Sequence, residues 1–330
     1  MLLGVLLVAF VFWYSGPEEV VRAVLRVSPV YFVLLLFLQL FMMLLWALKW
    51  WIVVRHLGVS FRSIFLVSSA GYLFNNLTPV NMLGGEPVMA YLLPKVDKNI
   101  NTERSAASIV VNTFFTLFPV LGLALLAVAL GLDDDVSLQM GLPLFAGALV
   151  VGGVLVVSVF FLVRLDYSRY LVAWTIGLLK RLPVGFLRAH ALDAERRVDS
   201  IIENFNDSMR KSMADRGVLL LGVCISTVIW AIYILQTKLI FDFMGFSVPV
   251  GTVVRVKIAA IVIGFFSITP GAVGIWEGVN TWLFSLYAIP LSTATAAVFI
   301  ERFFSFWVGN VIGLLAIVYI GASYLLEKYV

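Results

Sequence analysis

The chain has 330 residues, of which 62% are hydrophobic and 13% charged, and its formal net charge is +4 at pH 7. Soluble domains carry about 25% charged residues, so this composition excludes a soluble globular protein and indicates a polytopic membrane protein. A single cysteine, Cys224, excludes a disulfide framework, and two histidines far apart in sequence form no metal-site pattern. We therefore expect no metal and no cofactor.

A membrane-spanning helix needs about 20 apolar residues, and six apolar runs are predicted to span the bilayer. They cover 1–14, 30–54, 104–132, 142–163, 218–243 and 291–326. The first run is short, but it lacks the basic start and the cleavage site of a signal peptide, so it is counted as a span. The amphipathic segment 17–27 follows it. The second span is predicted to end in an interfacial anchor made of Lys49, Trp50, Trp51 and Arg55.

Two further apolar segments, 61–93 and 250–288, are each interrupted by a similar motif. The first reads N-L-T-P-V-N-M-L-G-G-E from Asn76 to Glu86, and the second reads S-I-T-P-G-A-V-G-I-W-E-G from Ser267 to Gly278. Both contain Thr-Pro, then glycines, then a glutamate eight residues after the threonine. Proline lacks an N–H group and glycine has the highest backbone entropy, so both motifs break a helix.

The likeness between the two segments continues downstream, where the residues around Phe114 match those around Phe303. We interpret it as an internal repeat with cores at 61–132 and 250–326. The arms of each broken helix are too short to cross and recross the bilayer, so they are predicted to form re-entrant hairpins. Three spans separate the hairpins, which places them on opposite faces and inverts the repeat.

The predicted fold is therefore an all-α polytopic membrane protein, a single integral-membrane domain of residues 1–330. It has six transmembrane helices plus two re-entrant helical hairpins in an inverted repeat. Helix kinks tolerated by neighbouring helices are the alternative interpretation of the two breaks.

Basic residues concentrate in the loops on one side of this topology, which the positive-inside rule makes cytoplasmic, with both termini inside the cell. The opposite side is predicted to hold fewer basic residues and several acidic ones: Arg22, Arg26, Arg255 and Lys257, with Glu18, Glu19 and Asp133–Asp135. Segment 164–216 is charged, and its apolar residues recur at helical spacing. It is predicted to form an amphipathic elbow on the cytoplasmic leaflet of the cell membrane, or alternatively a plain connector.

Three motifs carry a resemblance to a known family. They are L-T-P-x4-G-G-E-P-V-x-A-Y-L-L at 77–93, T-P-G-x-x-G-x-x-E at 269–277 and the helix around Glu301-Arg302-x-x-Ser305-Phe306-Trp307. In order and spacing they resemble the flippase-like family, the transmembrane region of lysylphosphatidylglycerol synthases and its stand-alone relatives. The resemblance implies a lipid-translocating membrane domain with two facing re-entrant hairpins. Relatives often carry a basic residue where Met89 stands, and the fused soluble aminoacyl-transfer domain is not expected here.

The candidate substrate-binding residues lie at the two breaks and in the last span: Thr78, Asn81, Gly84, Gly85, Glu86, Thr269, Gly271, Gly274, Trp276, Glu277, Glu301 and Arg302. Helix N-termini at the breaks favour anions such as a lipid phosphate. Glu86 and Glu277 are either helix caps or contacts for a cation, an amine or a proton. Arg302 is either a phosphate ligand or an interfacial residue that snorkels to the headgroups. No catalytic residue is assigned.

The first functional hypothesis is lipid translocation, in which a flippase or scramblase-like transporter moves a phospholipid or lipid-linked headgroup through a polar cleft between the hairpins. The alternatives are an integral-membrane enzyme acting on a lipid headgroup and an inverted-repeat transporter of a non-lipid solute. The expected partners are anionic or aminoacylated phospholipids or an isoprenoid-linked lipid, and no nucleic acid. A homodimer and a separate lipid-modifying enzyme are also open as partners.

The charge distribution makes a prediction about topology. Single cysteines at His190 and Asp134, on a Cys224→Ser background, should differ in their accessibility to a membrane-impermeant thiol reagent in intact cells. Asp134→Cys should react from outside, whereas His190→Cys should react only after permeabilisation, because the basic segment around it is cytoplasmic. Labelling of position 190 from outside contradicts the predicted topology.

Overall fold

The computed structural model describes residues 2–78, 84–130, 214–265, 267 and 269–329, with isolated positions between 145 and 211. Every secondary-structure element within this part of the chain is helical. The α-helices are α1 (Leu2–Tyr14), α2 (Pro17–Leu25), α3 (Pro29–Val54), α4 (Phe61–Leu77), α5 (Gly85–Val96), α6 (Thr102–Ala129), α7 (Arg216–Phe243), α8 (Val250–Phe265), α9 (Ile275–Ser285), α10 (Leu291–Arg302) and α11 (Gly309–Tyr329). Short 3₁₀ turns follow α3 and α8, and a π-helical turn, Phe303–Val308, joins α10 to α11.

Four helical stretches among the described residues are long and apolar enough to span a membrane. They are Pro29–Leu57, Thr102–Ala129, Arg216–Phe243 and Leu291–Ser323. Helices α1 and α2 meet at a bend of 86° and could form a fifth crossing together. These stretches correspond to the predicted spans, and the chain is an integral membrane protein with several passes. The predicted span 142–163 and the predicted elbow 164–216 lie largely outside the described residues.

The first helix break lies where the Thr-Pro motif predicts it. Helix α4 ends at Leu77, and Thr78 caps it in an extended conformation. Helix α5 begins at Gly85 and packs against α4. A β-carbon at Gly85 would collide with the carbonyl oxygen of Gly71, so the glycine is what allows this close approach. Residues 79–83, including the candidate Asn81, lie outside the described residues.

The second helix break also lies at its Thr-Pro motif. Helix α8 ends at Phe265, a 3₁₀ turn spans Pro270–Ala272, and α9 begins at Ile275. Gly271 and Gly274 adopt positive φ angles of 60° and 84°, a conformation that other residues adopt only with strain. The two glycines therefore reverse the chain between α8 and α9, which pack against each other.

The apolar core of the described residues consists of two clusters. The first packs the end of α3 against α4, α5 and α6, and includes Trp50, Ile64, Leu93 and Phe115. The second packs α2 and the end of α6 against α7, α8, α9 and α10, and includes Phe241, Val256, Phe284 and Ile300. Many apolar side chains outside the clusters are exposed, as expected where a helix faces lipid.

Helix α11 belongs to the second half in sequence but packs closely on α4 of the first half. Gly309 and Gly313 form a small-xxx-small pattern that lets the two backbones approach. A β-carbon at Gly313 would lie 2.5 Å from the carbonyl oxygen of Ser69 and 2.7 Å from the β-carbon of Leu73. The last helix thus packs the end of the chain against α4 of the first half.

This contact makes a stability prediction. Gly313→Ala should destabilise the protein by about 1–3 kcal/mol, because the added methyl meets the backbone of α4 and overpacks the interface. Its matched control is Gly321→Ala on the same helix, where a β-carbon meets nothing within 4 Å. That substitution should leave stability unchanged or raise it, because alanine favours a helix over glycine. Thermal unfolding of the purified protein measures both, and equal midpoints for the two variants would contradict the packing.

Candidate functional site

The two helix breaks lie against each other inside the protein. A β-carbon at Gly271 would lie 2.9 Å from the carbonyl oxygen of Asn76, at the end of α4. The Asn76 amide donates a hydrogen bond of 2.8 Å to Asn310 Oδ1 on α11, and the Tyr72 hydroxyl donates to the carbonyl oxygen of Ser305. The end of α4, the turn after α8 and the last helix therefore meet at one place.

Arg302 lies at this meeting point and is held along one edge of its guanidinium group. Its Nε donates to Glu277 Oε1 at 2.7 Å, and its Nη2 donates to the carbonyl oxygen of Gly271 at 2.8 Å. The Phe306 ring lies against the guanidinium, with its centroid 4.4 Å from Cζ. The two charged side chains are 13% and 7% exposed, so the Arg302–Glu277 pair is enclosed but still reachable.

Glu277 is a helix cap, one of its two predicted roles, and it also pairs with Arg302. It is the third residue of α9, and its Oε2 accepts the backbone N–H of Gly274 at 2.6 Å. A carboxylate in the first helical turn is stabilised by the helix dipole by about 0.3–1 kcal/mol. Because its other oxygen binds Arg302, one side chain caps the helix and neutralises the buried cation.

Glu301, the neighbour of Arg302 in sequence, takes part in a separate ion pair. Its Oε2 accepts from Lys257 Nζ at 2.5 Å and from Thr237 Oγ1 at 2.9 Å, and its Oε1 accepts from Tyr233 at 3.1 Å. The Lys257 and Glu301 side chains are 0% and 2% exposed. Lys257 also donates to Asn280 at 3.1 Å, so this network joins α7, α8, α9 and α10.

Lys257 and Arg255, which the charge count assigned to the outer side, are buried side chains of α8 within the segment 250–288. The sequence already indicates that Lys257 has a partner, since a lysine within an apolar membrane segment is retained only when its charge is paired. Removing one partner of a buried ion pair costs about 3–5 kcal/mol, because the other charge is left without compensation. What the sequence does not show is which carboxylate pairs with Lys257.

The first half has its own buried polar group beside the break. Lys49 on α3 is 6% exposed and donates to Thr116 Oγ1 on α6 at 2.6 Å. Glu86, the second residue of α5, lies near Lys49 and interacts with it electrostatically. The prediction that Lys49 and Trp50 anchor the chain at the bilayer interface is wrong, since both are buried against α6, where Trp50 donates to Ser108 Oγ at 2.9 Å.

The remaining predicted site residues lie around the breaks without joining the Arg302–Glu277 pair. The hydroxyl of Thr78 donates to the carbonyl of Phe74 at 3.0 Å, and that of Thr269 donates to the carbonyl of Val273 at 2.9 Å. Both hydroxyls are thus engaged in local backbone contacts. The Trp276 ring lies with its centroid 5.7 Å from Lys257 Nζ. Gly84 and Gly85 allow the close turn into α5, because a β-carbon at either position would overlap Thr78 or Gly71.

The geometry is suited to recognising charge. No group of three or more His, Cys, Asp or Glu side chains that could hold a metal ion occurs in the described part of the chain. The site instead brings a partly accessible arginine and its carboxylate to the junction of two broken helices. Such a pair can bind an anionic group through the arginine and a cationic group through the glutamate.

Comparison with known proteins gives consistent results. The family model of the lysylphosphatidylglycerol synthase transmembrane region matches residues 1–313. A UPF0104 membrane protein of Methanothermobacter thermautotrophicus is 30% identical over 98% of this chain and 95% of its own length. UPF0104 membrane proteins of Pyrococcus horikoshii and Methanocaldococcus jannaschii are 23% and 26% identical, over 95% and 97% of this chain and 94% of their own lengths.

No solved structure matches the chain. The family match covers both helix breaks and the Glu301-Arg302 segment, and so confirms the resemblance that these motifs indicate. The chain belongs to the family of the lysylphosphatidylglycerol synthase transmembrane region.

Proposed function

We propose that the protein translocates lipids, moving a phospholipid or lipid-linked headgroup between leaflets while the apolar chains stay in the bilayer. The observation that carries this proposal is the contact between the two helix breaks around the Arg302–Glu277 pair. Broken helices are tolerated at membrane depth only where they are buried in protein or line a wet cavity, and there their backbone groups are available to a ligand.

The proposal includes six transmembrane helices and two re-entrant hairpins, α4–α5 and α8–α9, in an inverted repeat. Several features support it. Each pair consists of two short helices packed on each other, and both breaks fall at the repeated Thr-Pro motif. Each pair also packs into its own apolar cluster, α4–α5 into the first and α8–α9 into the second. Transport would then come from one half rocking against the other around the junction of the breaks.

Arg302 is the proposed phosphate ligand. The edge formed by Nε and Nη2 is held by Glu277 and the Gly271 carbonyl, whereas Nη1 has no partner among the described residues. A phosphate can approach the edge formed by Nη1 and Nη2, where two parallel hydrogen bonds are possible. Glu277 neutralises Arg302 in the empty site and faces the positive part of a zwitterionic headgroup when the site is occupied.

The proposed activity is transport and not an enzymatic reaction, and the proposed ligands are membrane lipids of the cell membrane, with both termini in the cytoplasm. Membership of a family whose model describes a synthase's transmembrane region supports a lipid ligand. If the purified protein converts lipids into new products, it is instead a lipid-modifying enzyme.

Arg302 gives the first test of this function. Arg302→Ala should lower the rate of fluorescent-lipid translocation in liposomes roughly ten- to a hundredfold, because a charge-assisted contact contributes about 1.5–3 kcal/mol. Arg302→Lys should recover only part of the rate, since lysine lacks the planar fork of arginine.

The matched control for this experiment is Arg22→Ala. Arg22 also bonds a glutamate, Glu18, but both side chains are exposed at the surface. This variant should move lipid at the wild-type rate, because exposed ion pairs contribute little. Wild-type rates for Arg302→Ala, with the protein folded and inserted, would refute a phosphate site at Arg302.

The orientation of the hairpins can be tested separately. Asn99 lies in the exposed loop after α5, and Ser247 lies in the exposed loop before α8. If the hairpins enter from opposite faces, an impermeant thiol reagent on intact cells should label Ser247→Cys but not Asn99→Cys, on the Cys224→Ser background. Labelling of both positions from the same side would exclude the inverted repeat.

A further inference from the structure

Glu86, beside the first helix break, has an oxygen that none of the described residues satisfies. Its Oε2 atom is enclosed and has no hydrogen-bond partner among the described residues. A buried carboxylate oxygen without a partner is unfavourable, and native proteins rarely keep one unless a ligand, an ion or a proton binds there. Close packing fixes the position, because Gly85 lies directly against the backbone of α4 at Gly71.

Two side chains, Lys49 and Asn75, interact with this carboxylate, and a third, Thr116, binds Lys49. Lys49 comes from α3 and interacts electrostatically with Glu86. Asn75 comes from α4, where its Oδ1 accepts the N–H of Gly85 at 2.7 Å. Thr116 comes from α6 and accepts one hydrogen bond from Lys49 Nζ at 2.6 Å. The lysine has two more N–H donors, yet no hydrogen bond joins Nζ to Glu86 Oε2.

The chemistry of the position favours a proton over a metal cation. When protonated, Lys49 places a positive charge near Glu86, which repels a sodium ion or any other metal ion. The described residues also contain no group of three or more His, Cys, Asp or Glu side chains that could hold a metal ion. A proton needs only one oxygen, converts Oε2 from an acceptor into a donor and leaves Lys49 as the remaining charge of the pair.

We propose that Glu86 is a proton-binding site through which a proton gradient drives transport, with Lys49 as the counter-charge. The step is the addition of a proton to the carboxylate from one side of the membrane and its release to the other, so only an O–H bond forms and breaks. When the proton leaves, the carboxylate attracts Lys49 and pulls α3 towards α5. This coupling rests on the lipid translocation proposed above, but the proton site itself can be tested without transport.

Infrared titration of the purified protein tests the proton site directly. The wild-type protein should show a carboxylic acid carbonyl band that disappears as the pH rises. This band should be absent in Glu86→Gln and present in Glu277→Gln, whose glutamate occupies the corresponding place in the second repeat. If no such band titrates in the wild type, or if it persists in Glu86→Gln, the proton site is refuted.

Coupling is tested in liposomes with an imposed pH gradient and equal sodium on both sides. Fluorescent-lipid translocation by the wild type should be several-fold faster with the gradient than without it. For Glu86→Gln this ratio should fall to one, whatever rate remains. Glu103→Gln, in the first turn of α6, should keep the wild-type ratio.

A wild-type ratio in Glu86→Gln would overturn the coupling, as would acceleration by a sodium gradient in place of a pH gradient. If the wild type moves no lipid under any gradient, the proposed function is overturned, and the infrared result alone decides whether Glu86 binds a proton. The two experiments therefore separate failure of the proton site from failure of lipid transport.

Discussion

Charges buried in the apolar interior of this protein must find partners, and the arrangement of the second half depends on how they do so. Glu301 and Arg302 are consecutive on α10, yet they form ion pairs with residues of different helices. The glutamate binds Lys257 in the fully enclosed core, while the arginine binds Glu277 in a partly open position. Since an uncompensated charge in such a place costs several kcal/mol, these pairs fix the mutual orientation of α7, α8, α9 and α10.

The two pairs are suited to different tasks. The Lys257–Glu301 pair has further donors in Tyr233 and Thr237, so both carboxylate oxygens are satisfied and the network rigidifies the core. The Arg302–Glu277 pair lies at the junction of two helix breaks, where glycines bring backbones into contact. A rigid pair next to an accessible one places the accessible pair on a stable support, as the proposed recognition of a headgroup would require.

Much of this arrangement could be predicted from the sequence, because its signals are local. The Thr-Pro and glycine motifs marked both helix breaks, and the hydrophobic runs marked the spans at 30–54, 104–132 and 218–243. The pairing of Lys257 with Glu301 could not be predicted in this way. Periodicity shows which residues share a helix face, but it does not show which faces meet. The lysine was therefore counted only as a charge on the outer side, without its carboxylate partner.

The π-helical turn Phe303–Val308 has a mechanical consequence. Before the turn, α10 carries the charges that hold the second cluster. After the turn, α11 carries the glycines that pack on α4, a helix of the first cluster. A π turn holds one residue more than an α turn, and each residue of an α-helix contributes about 100° of rotation and 1.5 Å of rise. Gaining or losing that one residue would rotate one half's contacts relative to the other's. The π turn therefore sets how the α4-facing side of α11 is rotated relative to the charged residues of α10.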